Sequence, residues 1–360
     1  MSMTGEALQK LFESEFQGMA KLSLGQEAIW DEVLAKVPYV PVGYTRASLE
    51  YQHAYMSAFL EELVDFSVII YQKNRPIGVW PLSLRKKDGV YEFATNQGAV
   101  LPPVFVAGTS ERLIKKYDTA CLDAMKGFYN ALKEKISLRS KWKTRVDFLQ
   151  SELLGQSISW EQKCMLLKAV PRVVHDLYVD LSWPLDKIHG NLRKSYRSLI
   201  NEGERIWQVE VHDQVSEELF EEFRCLHIAV AGRETRPKIT WDFQRKGINE
   251  ALDFLVTVRD SEQKLCGAGL FEVSRDEGSY AVGAYDRSLF DKPVSHVVQW
   301  TAIRHLQELG KRWHYVGQRF YDCDVPVPTP KEMQIAYFKE GFATDTVLRL
   351  MLEMDLEEAE

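Results

Sequence analysis

Chemistry in this 360-residue sequence concentrates in a few short stretches. Arg193 and Arg197 are four residues apart and Lys194 and Arg197 three apart, so the three share one flank of a helix. No acid falls between Gly190 and Ile200. Such a cluster suits a phosphate or pyrophosphate; the other reading is a solvated charged face. The segment Gly232-Arg233-Glu234-Thr235-Arg236-Pro237-Lys238 is dense in donors, with His227 before it and Trp241 after it. It fits a substrate-binding loop, against an ordinary solvated loop in which His227 is a structural histidine. Glu272 sits in a mostly apolar run, Leu265 to Val273. If buried, its carboxyl has a raised pKa and suits a general base; at a sheet edge it only faces solvent. Tyr285 and Asp286 follow the next strand and can hydrogen-bond an acceptor group. Lys339 lies between Phe338 and Phe342, on a segment whose Ile335, Phe338 and Phe342 form an apolar face. From these residues alone it reads as a surface lysine, although a cation beside a forming oxyanion lowers a reaction barrier.

Other constellations are missing. There is no P-loop, no H-E-x-x-H, no G-x-S-x-G and no spacing of metal ligands, so no metal site is expected. The five cysteines, Cys121, Cys164, Cys225, Cys266 and Cys323, are scattered without a C-x-x-C pair, which predicts reduced thiols. A formal net charge of -7 argues against general affinity for DNA and leaves room for a local basic site. Met1 to Gly18 has no continuous apolar stretch, and no run reaches the roughly 18 apolar residues of a membrane span. The expectation is a cytoplasmic chain with no membrane span.

The elements that must position these residues are legible in outline. Asp65–Tyr71 and Ile77–Leu84, joined at Asn74-Arg75-Pro76, read as a hairpin. Asp253–Val258 and Leu265–Leu270, joined at Ser261-Glu262-Gln263, read the same way. Each is followed by a charged turn and a third strand beginning near Tyr91 or Tyr280. Each is preceded by a helix: one capped by Ser48 with Met56, Phe59, Leu60 and Leu63 on one face, the other from about Trp241 to Ala251. This order, met twice, predicts a duplicated unit. In the second half, Val173–Leu181 reads as a strand and Asp186–Glu204 as one helix. Ile206–His212 is a strand and Ser216–Ala231 a helix capped by Ser216. Ser295 caps a helix to Leu309, followed by a strand Trp313–Val316, a helix Lys331–Glu340 and a last strand Thr344–Met354.

Several details make the second half resemble the FemABX branch of the GNAT acyltransferase superfamily. They are the pair Gly283-Ala284, Pro293, the helix carrying Gln299-Trp300-Thr301-Ala302-Ile303, Gly310, the strand of Tyr315 and Val316, and Phe338-Lys339-Glu340-Gly341-Phe342. The resemblance covers residues 173–352; over residues 35–165 it rests on the repeat. It implies an α/β (α+β) fold with two GNAT-like domains in tandem, residues 1–170 and 171–360. Each would be a mixed, mainly antiparallel twisted sheet flanked by helices. It further implies an N-acyltransferase that moves an acyl or aminoacyl group to an amine on a cell-envelope or glycan precursor, such as a sugar nucleotide. No cofactor would be tightly bound, and the donor would be aminoacyl-tRNA or acyl-CoA. Lys339 would then stabilise the oxyanion, and Arg193, Lys194 and Arg197 would meet a phosphorylated acceptor. GNAT enzymes often place a glutamate on the strand of Glu272, whereas FemABX members lack a dedicated base. Asp286 to Pro293 contains no glycine, unlike the pyrophosphate loop of acetyl-CoA enzymes. FemABX proteins share that absence and take the aminoacyl group from tRNA. The long coiled-coil arm of some members is also missing here. Two alternatives stay open: a CoA-dependent N-acetyltransferase of an amino sugar or small amine, and a non-catalytic binding protein of the same fold.

Overall fold

The computed structural model describes residues 3–95, 98–146 and 159–358. Two compact units are present, Met1–Val173 with Arg349–Glu360, and Val174–Leu348.

The first unit runs α1 (Gly5–Glu15), β1 (Ala20–Leu22), α2 (Glu27–Leu34), α3 (Arg46–Ser57), β2 (Glu62–Asp65), β3 (Val68–Gln72), β4 (Arg75–Trp80), β5 (Ser83–Lys87), β6 (Val90–Ala94), β7 (Val104–Phe105), α4 (Glu111–Leu132), β8 (Lys141–Val146) and α5 (Ser159–Leu166). β3 and β4 form the expected hairpin, closed by Lys73 and Asn74 with positive φ, the backbone a tight two-residue turn requires. The chain then changes sheets. β4 pairs with β7, where Gly78 permits close approach: a Cβ there would lie 2.7 Å from the Val104 carbonyl. β5 pairs instead with β2 and β6. The core is aromatic. Phe12 stacks on Phe66 at 4.7 Å and meets Phe128 edge-on at 5.7 Å, with Trp80 and Phe93 also around it. Thr45, not Ser48, caps α3, because the Thr45 hydroxyl reaches the Ser48 N–H. Met56 and Phe59 do not form a buried face; Phe59 is exposed.

The second unit runs β9 (Val170–Asp180, straddling the boundary), α6 (Leu185–Asn191), α7 (Lys194–Ile206), β10 (Gln208–His212), α8 (Glu217–Ala231), α9 (Lys238–Asn249), β11 (Asp253–Arg259), β12 (Leu265–Val273), β13 (Glu277–Tyr285), α10 (Val294–Glu308), β14 (Trp313–Arg319), α11 (Pro330–Glu340) and β15 (Asp345–Asp355). Its strand order is β10-β11-β12-β13-β14-β9, antiparallel except for β13 with β14. One face packs Phe254, Val256 and Phe271 against Val297, Val298 and Leu306 of α10. The other packs Leu255, Ala268 and Leu270 against Phe220 and Phe223 of α8 and Trp241 and Ile248 of α9. Ser216 caps α8, and Gly232 ends it in the left-handed conformation.

Three further expectations change. Asp186–Glu204 is two helices, because Leu192 and Arg193 leave the helical conformation. Helix α10 starts at Val294 with Pro293 in the capping position, so Ser295 lies inside it. The division at residue 170 misses that Leu350–Asp355 pair with Lys141–Val146, which returns the final residues to the first unit.

Candidate functional site

β13 and β14 pair only over Glu277–Ser279 with Trp313–Tyr315. Beyond that stretch each strand carries an irregularity. An extra residue, Ala281, bulges β13 between its pairings with β12, and Val316 does the same in β14 against β9. Bulges bend strands and re-aim side chains. The two strands therefore stop pairing with each other at Tyr280 and Val316, just before Gly317.

Lys339 of α11 reaches this place. Its Nζ lies 5.3 Å from the centre of the Tyr280 ring and packs directly on Gly317. Gly317 has φ +144°, and any Cβ there would overlap the lysine side chain. No hydrogen bond or ion pair satisfies Lys339 among the described residues. Burial pushes its pKa down to about 8. Beneath it His314 is fully buried, its Nδ1 3.3 Å from the Gly278 carbonyl and its Nε2 without a partner. Burial holds His314 near 4, so it stays neutral.

Helix α11 is pinned by α7. The Arg193 N–H donates to the Gly341 carbonyl at 3.0 Å. Its guanidinium donates to the Tyr337 carbonyl at 2.9 Å and the Tyr196 hydroxyl at 2.8 Å, and stacks on Tyr337 at 3.7 Å. Glu340 lies 3.8 Å from Arg193 and 3.1 Å from Arg319. Arg193 is thus spent on positioning the helix that carries Lys339. Lys194 is exposed and Arg197 half-exposed, in the first turn of α7, which no side chain caps. These two keep the capacity for an anion.

A second cluster lies on the opposite face of the sheet, under α8 and α9. Glu272 and Asp253 are cross-strand partners on the side of Leu270 and Leu255. Burial raises both carboxyl pKa values, and the Glu272 charge raises Asp253 further. Arg236 partly offsets the rise at Glu272. The Arg236 guanidinium donates to Gln244 Oε1 at 2.6 Å and covers Trp241 at 3.7 Å. His227 meets the Trp241 ring edge-on at 5.0 Å, and burial, then Arg236, lowers its pKa. The indole Nε1 of Trp241 and Nε2 of Gln244 are buried without partners. Sequence reasoning named His227, Arg236, Trp241 and Glu272, and the fold brings all four together. Trp241 is a core residue, only 1% exposed. Arg233 and Lys238 stand in solvent outside the cluster.

Tyr285 joins the first cluster, its hydroxyl 2.9 Å from that of Tyr280. Sequence reasoning missed Tyr280, Gln299, His314, Asp253 and Gly317. The signal was the run of glycines in β12 and β13, since glycine within a strand marks close approach. The missing Cβ of Gly283 leaves room for the Tyr280 hydroxyl. A Cβ on Gly267 would lie 2.9 Å from the Tyr285 ring.

Cys121, Cys164 and Cys266 are buried and Cys225 and Cys323 exposed, all as free thiols. Among the described residues no helix is long and apolar enough to cross a membrane, and no three metal-ligating side chains gather.

No family model and no curated protein matches the sequence. Solved structures do. FemX matches with a TM-score of 0.61 over 98% of this chain and 96% of its own, at 13% identity. L-PGS from Bacillus licheniformis matches at 0.54 over 92% and 90%, at 14% identity. A tandem GNAT protein from the clavulanic acid biosynthesis pathway matches at 0.50 over 92% and 95%, at 10% identity. The chain has the FemABX-like tandem GNAT fold. In that fold Lys339 and Glu272 flank one feature, the parting of β13 and β14, from opposite faces of the sheet. Ser279, the cross-strand partner of Glu272, is the last β13 residue paired with β14.

Proposed function

We propose that this chain transfers an acyl or aminoacyl group to an amine, with Lys339 holding the oxygen of the attacked carbonyl. The observation that carries this reading is the half-buried ammonium with no counter-ion, set over Tyr280 at the parting strands. Folding gains nothing from such a group, whereas a tetrahedral intermediate supplies the missing negative charge. In this reading the parted strands leave a passage between the two faces of the sheet. A carbonyl on the Lys339 side can be attacked by an amine arriving from the Glu272 side. Glu272, with its raised pKa, takes the proton that the amine must lose. Lys194 and Arg197 serve a phosphate of the acceptor, which favours a sugar-nucleotide or similar glycan precursor of the cell envelope. The FemX and L-PGS folds support an acyl or aminoacyl donor, with aminoacyl-tRNA ahead of acyl-CoA because Asp286–Pro293 offers no glycine loop for a pyrophosphate.

The test is a screen of the purified chain with aminoacyl-tRNA and acyl-CoA donors against amine-bearing sugar nucleotides. Product formation that falls at least 100-fold in Lys339→Met supports the reading. Full turnover by both Lys339→Met and Arg197→Ala removes the site assignment. Stabilisation by CoA with turnover of acetyl-CoA alone points to the N-acetyltransferase, and ligand binding without turnover to a non-catalytic protein.

A further inference from the structure

The cluster under α8 and α9 holds buried donors without acceptors beside an excess of acids. Trp241 and Gln244 lie three residues apart on α9, facing the sheet, and each is 1% exposed. The Trp241 Nε1 and the Gln244 Nε2 make no hydrogen bond. The Gln244 Oε1 accepts from the Arg236 guanidinium at 2.6 Å, so the amide nitrogen on the same carbon stands next to that guanidinium. The guanidinium also covers the Trp241 ring at 3.7 Å. Two unpaired N–H donors and a positive charge thus gather in one place, and burial of such donors is unfavourable unless something accepts from them. Asp253 and Glu272 stand directly opposite each other on β11 and β12. Like charges in that position repel. Arg236 acts on Glu272, but among the described residues no cation acts on Asp253. Gly247 of α9 makes room for the second acid, since a Cβ there would overlap the Asp253 carboxylate. Glu272 and its other cross-strand neighbour, Ser279, are only half-buried, so the cluster opens to solvent at that end.

We infer that this cluster binds a zwitterion, with a carboxylate held by Trp241, Gln244 and Arg236 and an ammonium a few bonds away between Asp253 and Glu272. A planar guanidinium beside two further N–H donors fits a carboxylate, and the second acid supplies the counter-ion for the ammonium. Other occupants satisfy only half of the arrangement. A simple amine leaves the indole and amide N–H groups unpaired, and a phosphate dianion faces two acids. A neutral polyol pairs the donors and leaves the acids to repel each other, which is why burial and the Glu272 charge hold Asp253 toward its neutral form. In the transferase reading, on which the ligand's part as acceptor rests, the amine that receives the acyl group therefore belongs to an amino acid or to an amino-sugar acid. Its carboxylate fixes the orientation in which the amine meets Glu272.

The experiment is calorimetric binding to the full chain, without donor, of two probe series. One is alanine, its methyl ester and N-acetylalanine; the other is glucosaminuronic acid, glucosamine and glucuronic acid. In each series the first probe carries both groups, the second lacks the carboxylate and the third lacks the amine. The wild type should bind the first probe of one series at least tenfold more tightly than the other two, and the series that does so identifies the source. Trp241→Phe, which keeps a ring in the core, should shrink the gap to the carboxylate-lacking probe by about tenfold and leave the gap to the amine-lacking probe unchanged. Gln244→Met should do the same if Trp241→Phe does not fold. Glu272→Gln should have the converse effect. A merely structural role weakens all three probes alike. Equal affinity across a series, equal losses in every variant, or no binding of any probe overturns the inference, and the transferase reading then stands or falls on its own screen. Selective binding without turnover from any donor upholds the zwitterion site and removes the transferase reading.

Discussion

The β3–β4 and β11–β12 hairpins share one hydrophobic pattern, yet the strands that follow them go different ways. In the second unit β13 continues the meander beside β12. In the first, the chain leaves after Trp80 and Pro81, and β5 joins β2 in another sheet. The side chains diverge accordingly. The hairpin of the first unit presents Trp80, with its cross-strand partner Val68, to an aromatic core built on Phe12, Phe66 and Phe128. Its counterpart carries Gly267 and Gly269, whose space Tyr285, Phe271, Val294 and Val298 fill, and beside it Gly283 of β13 makes room for Tyr280 while Gly317 of β14 makes room for Lys339. Similar hydrophobic patterns thus support a stability-bearing core in one place and a chemistry-bearing face in the other.

That contrast can be broken by substitution. Trp80→Ala should lower unfolding free energy by about 3–5 kcal/mol in denaturant titrations, since it opens a cavity and orphans the Leu101 carbonyl that its indole serves at 2.8 Å. Turnover per folded molecule should not change. A loss of activity in the folded fraction would deny the division of labour.

Lys339→Met should do the reverse. Transfer falls 100- to 1,000-fold, about 3–4 kcal/mol in barrier, while Tm at pH 7 rises because an uncompensated buried charge is removed. The gain in stability should be about 1–3 kcal/mol, reduced from the full pKa shift because the lysine retains some solvent. A fall in Tm would place Lys339 among structural residues.

Gly317→Ala should cost about 1–3 kcal/mol through its positive φ. Part of that cost, and of the lost activity, should vanish when the substitution is made in a Lys339→Ala background, because the new methyl group would no longer meet the ammonium. Strict additivity in the cycle would separate the two residues.

The smallest effect is in pH. Lys339 titrates near 8 when folded and near 10.4 when unfolded. Between those values the unfolded chain holds a proton the folded chain lacks, so this group's contribution to stability rises as pH climbs from about 8 to about 10.4. It is lowest below 8. The stability difference between wild type and Lys339→Met should narrow over that interval, and a constant difference would show that the ammonium is fully solvated.

Much of the fold is legible in the sequence. Periodicity and capping locate α8 and α11 to within a residue or so, and the meander β11–β13 reads as such. Errors arise where backbone competition decides. Thr45 and Ser48 are both good caps, and only the path of the chain shows that Thr45 takes the role. The break at Leu192–Arg193 follows Gly190 and Asn191, poor helix formers whose signal was outweighed by the apolar spacing around them, and the Arg193 bonds to α11 stabilise it. Within the site, Lys339 and Glu272 stand out by residue type. Gln299 and His314 do not, since in one dimension they resemble ordinary interior positions. What sets them apart is an unpartnered atom, a property that exists only in three dimensions.

The pairing of Leu350–Asp355 with β8 has a bearing on biosynthesis. Leu352 and Met354 complete the interior of the first unit, but a ribosome makes them after every residue of the second. Vectorial synthesis therefore delivers the later unit whole while the earlier one still lacks its closing strand. The N-terminal portion of a nascent chain must wait, partly assembled, for the C-terminal residues to emerge.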